Sequence, residues 1–283
     1  MKKKQAALIA LVCGVAIFGI KLVAYLVSNS VALLSDALES IVNIAASALM
    51  FFSVCVSERA PDSGHRYGHE KIEDISCLVE GIFIIIAAFF IIYAAAGRLF
   101  EPAELFGLDV AIGISMLATA LNAGLSWLLI KTAKSCGSMA LEGDAKHLFS
   151  DVVSTVGVWI GLFVAQLTGW SFLDSVLAFL VAALIVRMGV KLVLKSSNRL
   201  MDQSCIAEEK KIKEILGRHS FHFIDFHDLK TRRSGNQVFA ELHLSVDGSL
   251  SVKEAHDLTD HLEEELKKEC PNIKLTIHVE PPE

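Results

Sequence analysis

The sequence predicts an all-α membrane bundle of six transmembrane helices, followed by a small α+β domain in the cytoplasm with αββαβ order. Three observations predict it. First, 53% of the 283 residues are hydrophobic and only 20% are charged, which is too apolar for a soluble domain of this length. Second, between Ala6 and Leu194 the apolar residues fall into six blocks, each of roughly 20 residues or more, enough to cross a ~30 Å hydrocarbon core as helix. Third, beyond Met201 the long apolar runs stop and charge becomes dense. A membrane domain over 1–200 and a soluble domain over 201–283 are expected.

The first block, Ala6–Val27, follows the opening MKKK. Its apolar stretch is longer than a signal-peptide core and another block follows, so it reads as a retained helix. Lys21, near its outer end, is expected to snorkel to the interface. The second block, Val31–Val56, contains SDALESIVN, with Asp36, Glu39 and Asn43. After it comes APDSGHRYGHEK, a turn-rich loop carrying Asp62, His65 and His69. The third and fourth blocks are Ile75–Leu99 and Leu108–Lys131. The fifth, Met139–Leu167, contains GDAKHLFSD, with Asp144, His147 and Asp151, and the sixth is Phe172–Leu194. Lys2 to Lys4, Arg59, Arg66, Lys71, Lys131, Lys134, Lys191, Lys195 and Arg199 gather on one side, which places both termini in the cytoplasm.

Ionisable groups deep in a transmembrane helix are costly and point to function. Blocks two and five share one pattern: Asp, Ala, any residue, a ligand type, three residues, a second ligand type. Residues at i and i+4 project from one helix face. Two such faces opposed would converge Glu39, Asn43, His147 and Asp151, four groups suited to tetrahedral coordination of a divalent metal. Asp36 and Asp144 are expected to orient those ligands or to join helix ends. The competing reading is that these groups only hydrogen-bond helices together.

In the tail, helices are predicted at Ile206–Arg218 and Val252–Glu269, and strands at Asp225–Arg232, Gln237–Val246 and Lys274–Val279. Ser251 and Glu254 form a capping box for the second helix. Val238, Ala240, Leu242, Leu244 and Val246 alternate as one buried face, which puts His243 on the other; His278 and Glu280 share a face of the last strand. The six cysteines include no CxxC pair and are expected to be free thiols. A net charge of −6 offers nucleic acid no basic surface, and no GxxxxGK[ST] loop signals ATP.

The segments ALLSDALESIVN, HRYGHEK, HLFSD and FLDSVLAFLVA, with the tail motifs FHDLKTRRSG, AELHLSV, EAHDLTDHLE and TIHVEP, resemble the cation diffusion facilitator family over nearly the whole chain. The resemblance implies a bacterial metal–proton antiporter of the inner (plasma) membrane, working as a homodimer. It maps the transport site onto Glu39, Asn43, His147 and Asp151, a loop metal site onto Asp62, His65 and His69, and a binuclear tail site onto His227, His243, His256, His278 and Glu280. It implies a salt bridge between Lys71 and Asp202 at the dimer hinge. His219, His222 and His261 match nothing and read as ordinary surface residues. Zinc-transporting members resemble DxxxD or HxxxD on the second helix, whereas this chain has Glu39 and Asn43, so the site is harder, with zinc and Fe(II) the leading candidate substrates and Mn(II), Co(II) and Cd(II) behind them. No nucleophile and base arrangement suggests an enzyme. A monovalent-cation/proton antiporter on the same scaffold and a membrane-anchored metal sensor remain alternatives.

Overall fold

A computed structural model describes residues 2–28, 31–100, 108–168 and 172–282. The membrane part consists of α1 (Lys3–Ser28), α2 (Val31–Ser57), α3 (Ile72–Phe100), α4 (Leu108–Cys136), α5 (Met139–Thr168) and α6 (Phe172–Leu200). The predicted blocks correspond to these helices, which run a few residues further because polar turns extend past the apolar windows. Among the described residues, α1 to α4 carry windows apolar enough to cross a membrane, with mean hydropathy from 1.2 to 2.7. The other two are as long, 30 and 29 residues.

The bundle is inverted relative to a soluble protein. Many of its exposed side chains are large and apolar, Phe89 at 59%, Phe90 at 69% and Tyr93 at 80% exposure, while Glu73, Asp74, Glu80, Asp144 and His147 are buried. α5 joins two packing clusters. Ala140, Leu141, Ala145 and Leu148 meet Ala6, Ala10, Met50, Val54, Leu125 and Leu129 of α1, α2 and α4. Met139 meets Cys77, Ile84, Ala88, Ile185 and Leu192 of α3 and α6. Small residues allow the closest approaches, as expected where lipid supplies no hydrophobic drive between helices. A Cβ on Gly81 would lie 3.2 Å from the Gly189 carbonyl oxygen, and one on Gly189 only 3.0 Å from that of Gly81. Lys21 departs from expectation: at 5% exposure it is packed inside the bundle and does not reach outward to an interface.

Near the start of α3, the buried carboxylate of Glu73 gathers three other elements. The Lys3 ammonium lies 2.7 Å from its Oε1. The hydroxyls of Ser57, closing α2, and Ser138, just before α5, both donate to it.

The second compact unit spans Asn198–Glu283. It contains α7 (Ile206–Arg218), a single 3-10 turn (Ser220–His222), β1 (Asp225–Ser234), β2 (Gln237–Ser245), α8 (Val252–Glu269) and β3 (Ile273–Glu280). Strand order is β1-β2-β3, with β1 antiparallel and β3 parallel to β2. The alternating apolar row of β2 packs with Ile212, Ile215 and Leu216 of α7 and Leu262 and Leu266 of α8 in one core. Burial of each such side chain contributes about 1.5–3 kcal/mol. The capping box at Ser251 and Glu254 is present, and all six cysteines are free.

Candidate metal centres

Three of the four predicted transport ligands meet inside the membrane bundle. Asn43 sits between α2 and α5: its Nδ2 donates to Asp151 Oδ2 at 2.8 Å, and its Oδ1 lies 3.1 Å from His147 Nε2. One amide thus bridges the two α5 groups, which face the same way because they are one turn apart. A carboxylate at this position has no proton to give and would face Asp151 as a like charge. One turn further along α2, the Ser47 hydroxyl donates to Asp144, at 3.0 and 3.2 Å from its two oxygens. Asp144 is fully buried and ties α5 to α2. The side chains of Asp36 and Glu39 lie outside the described residues. A narrow cleft lined by Gly14, Ser40, Asn43, Ser47 and Asn122 reaches the amide from α1, α2 and α4.

Two buried polar groups here went unread in the sequence. Asn122 is 8% exposed on α4. Glu80, on α3, is fully buried, and among the described residues neither carboxylate oxygen has a hydrogen-bond partner. A Cβ on Gly143 would lie 3.1 Å from Glu80 Cγ, so the glycine makes the room the side chain occupies. The charges acting on Glu80 are Asp144 and Asp151. The available signal was the one acid inside the apolar block Ile75–Leu99, which is expensive enough to need a reason.

The loop between α2 and α3 is organised by Asp62. Its Oδ1 accepts the backbone N–H groups of Gly64 at 2.9 Å and His65 at 2.7 Å, and Gly68 turns the chain at φ 87°. The same carboxylate faces both rings, 3.4 Å from His65 Nδ1 and 3.3 Å from His69 Nε2. Two ligands on a tetrahedral zinc at about 2.0–2.1 Å are about 3.3 Å apart, so this trio fits a metal by ligand type and spacing. The His65 amide, first among the causes, holds the Asp62 carboxyl below its ordinary value of 3.8.

In the tail, strand register builds the candidate site. His227 pairs with His243 across β1 and β2, and His243 with His278 across β2 and β3, so three imidazoles form a row on the face away from the helices. Their ring centroids are 5.3 and 4.8 Å apart. Glu280 lies 3.1 Å from His227 Nε2, 3.1 Å from His243 Nδ1 and 4.0 Å from His278 Nε2. His227, His243 and Glu280 fit a metal by ligand type and spacing. His256, on exposed α8, instead faces Asp260 at 3.4 Å. His219, His222 and His261, expected to be unrelated surface residues, come together: His261 has ring centroids 5.1 Å from His219 and 6.1 Å from His222. Of the predicted hinge pair, Lys71 precedes α3 in the first unit and Asp202 follows α6 in the second at φ 56°.

Comparison with known proteins accounts for both units. Residues 7–201 match the family model for the cation efflux transmembrane domain, and residues 207–282 the one for the cytoplasmic domain of cation efflux proteins. An uncharacterized transporter of Synechocystis sp. is 36% identical over 97% of this chain and 89% of its own length. The cation-efflux pump FieF of Shewanella oneidensis is 28% identical over 98% of this chain and 94% of its own. The metal-bound C-terminal domain of the CzcD transporter from Thermotoga maritima is 36% identical, covering 27% of this chain and 88% of that one, with a TM-score of 0.26. The chain therefore belongs to the cation diffusion facilitator family of cation-efflux transporters.

Proposed function

We propose that the protein exports a divalent transition-metal ion, zinc or Fe(II) foremost, from the cytoplasm in exchange for protons, as a homodimer in the inner membrane with both termini cytoplasmic. The observation that carries this is the part-buried Asn43–His147–Asp151 network between α2 and α5. An incoming cation takes the place of the amide bridge. Asn43 then turns its carbonyl oxygen to the ion, His147 offers a nitrogen, and Asp151 and Glu39 offer carboxylates. Ligation requires neutral imidazole and ionised carboxylate, so protons compete for the same groups. An inward proton gradient favours release outside and return of the proton-loaded site, and a potential adds about 2.3 kcal/mol per net charge moved per 100 mV.

In this reading the loop trio Asp62, His65 and His69 captures metal near the cytoplasmic face. The tail row, with His256 drawn in from α8, binds metal to hold protomers together or to report cytosolic load. Lys71 and Asp202 pair at the hinge. The deciding experiment is flux into proteoliposomes with a metal panel and a pH-sensitive dye. Wild type should show metal-driven proton counterflow, and Asp151→Ala should reduce it to the background of empty vesicles, because water cannot replace an anionic ligand in a low-dielectric site. Wild-type flux in Asp151→Ala would refute the mid-membrane site.

A further inference from the structure

We infer that His219, His222 and His261 form a second metal site in the tail, taking a borderline divalent ion such as zinc, nickel or cobalt through three imidazole nitrogens. The trio lies outside the strand row and uses different elements. α7 ends at Arg218, so His219 is its C-cap residue, and the following 3-10 turn delivers His222. His261 projects from the middle of α8. The two helices are held in place beside the trio: the Arg218 guanidinium grips the Glu269 carboxylate with two contacts, 2.7 and 3.0 Å. That bidentate geometry fixes where α7 stops relative to α8.

One of the two ring spacings is that of ligands, and the other is about 1 Å wider. With zinc–nitrogen bonds of about 2.0–2.1 Å, two imidazoles at the tetrahedral angle have ring centroids about 5 Å apart. His219 and His261 are at 5.1 Å, tilted edge-on at 76°, and His222 is at 6.1 Å from His261. The strand row has centroids at 5.3 and 4.8 Å, so His222 must swing toward the other two rings before all three reach that spacing. His222 and His261 are exposed, which lets their rings rotate to aim nitrogen inward. An oxygen ligand is at hand one turn along α8. Glu265 stands four residues after His261 on the same helix face, and it is held for now by Lys268 at 2.5 Å. Three imidazoles with a carboxylate or a water complete a four-coordinate site that favours zinc, nickel or cobalt over harder cations. Metal here would cross-link the end of α7 to α8 and stiffen one edge of the domain.

The test uses the full chain in detergent, in a His243→Ala, His278→Ala background so that the strand row does not contribute. Zinc is titrated by calorimetry, and cobalt(II) is followed by its visible absorption. Adding His219→Ala and His261→Ala should remove one equivalent of zinc per chain and the matching part of the tetrahedral cobalt band. Circular dichroism in chelator checks that the fold is retained. Unchanged stoichiometry and an unchanged cobalt spectrum would overturn the site. Should the double substitution unfold the tail, the exposed His222→Gln serves instead: a roughly tenfold weaker zinc affinity supports the site, and an unchanged affinity overturns it. Because transport is not read out, failure here leaves the export reading standing, and the reverse also holds.

Discussion

The membrane bundle and the tail solve opposite packing problems with the same residue types. In the bundle, phenylalanines and leucines face outward and the acids are hidden; Glu80 and Asp144 are fully buried while Phe90 is 69% exposed. In the tail, Leu242, Leu244 and Leu262 are hidden, and His222, His261 and His278 lie exposed. A candidate ligand therefore means something different in each. In the bundle an ionisable group is present against a solvation cost of several kcal/mol, so its position is evidence of use. In the tail, exposure costs nothing, and only geometry separates a ligand from an ordinary surface histidine.

Reversing polarity at one apolar position in each unit gives the largest expected effect. Phe90→Asp, near the middle of α3, should cost about 3–4 kcal/mol in membrane insertion. Val252→Asp should change tail stability by no more than about 0.5 kcal/mol, since Val252 is 88% exposed and begins α8, where an acid is welcome. Insertion assays and thermal melts measure the two. Comparable losses would mean that α3 does not face lipid.

Next comes Glu80. Glu80→Leu should raise the melting temperature of the detergent-solubilised protein, because an unpartnered buried carboxylate is replaced by an apolar side chain of similar size. Transport should nevertheless fall by roughly 10–100-fold. Retained flux in a stabilised Glu80→Leu protein would reduce the residue to a packing accident.

A smaller effect is expected at Asn43. Asn43→Asp removes the amide that bridges Asp151 and His147 and sets a carboxylate against Asp151. Metal-free protein should melt earlier, zinc should bind roughly tenfold tighter, and competition against Fe(II) and Mn(II) should shift toward zinc. An unchanged selectivity ratio from pH 6 to 8 would place Asn43 outside the ligand set.

The smallest effect belongs to tail caps. Ser251→Ala should cost about 1 kcal/mol. The Ser251 hydroxyl, then its backbone amide, hold the Glu254 carboxyl below its ordinary value, and Arg218 does the same for Glu269. A depressed carboxyl contributes stability that is present above the unfolded value of about 4.3 and is lost as pH falls through the folded one. Melts of residues 198–283 should therefore be level from pH 7 to 5 and decline below about pH 4.5. A decline already complete at pH 5 would mean that other groups govern.

What could be read from the sequence follows from the range of the interactions. α7 and α8 begin and end as expected because caps and apolar periodicity are local. His147 and Asp151 were legible because i, i+4 spacing shows one helix face. Glu80 was not, since the like charges near it, Asp144 and Asp151, lie on another helix and no spacing within α3 announces them. The same is true of Lys21, whose burial depends on neighbours contributed by other blocks. His219, His222 and His261 are separated by up to 42 residues, and only the packing of α7 on α8 brings their rings together.

Glu73 has a mechanical consequence. Lys3, Ser57 and Ser138 converge on this one carboxylate, so the start of α1, the end of α2, the first turn of α3 and the approach to α5 are riveted at a single point. Helices pinned at one end swing most at the other. A site carried by α2 and α5 would then open like a pair of shears, with the blades away from the rivet and the pivot beside Glu73.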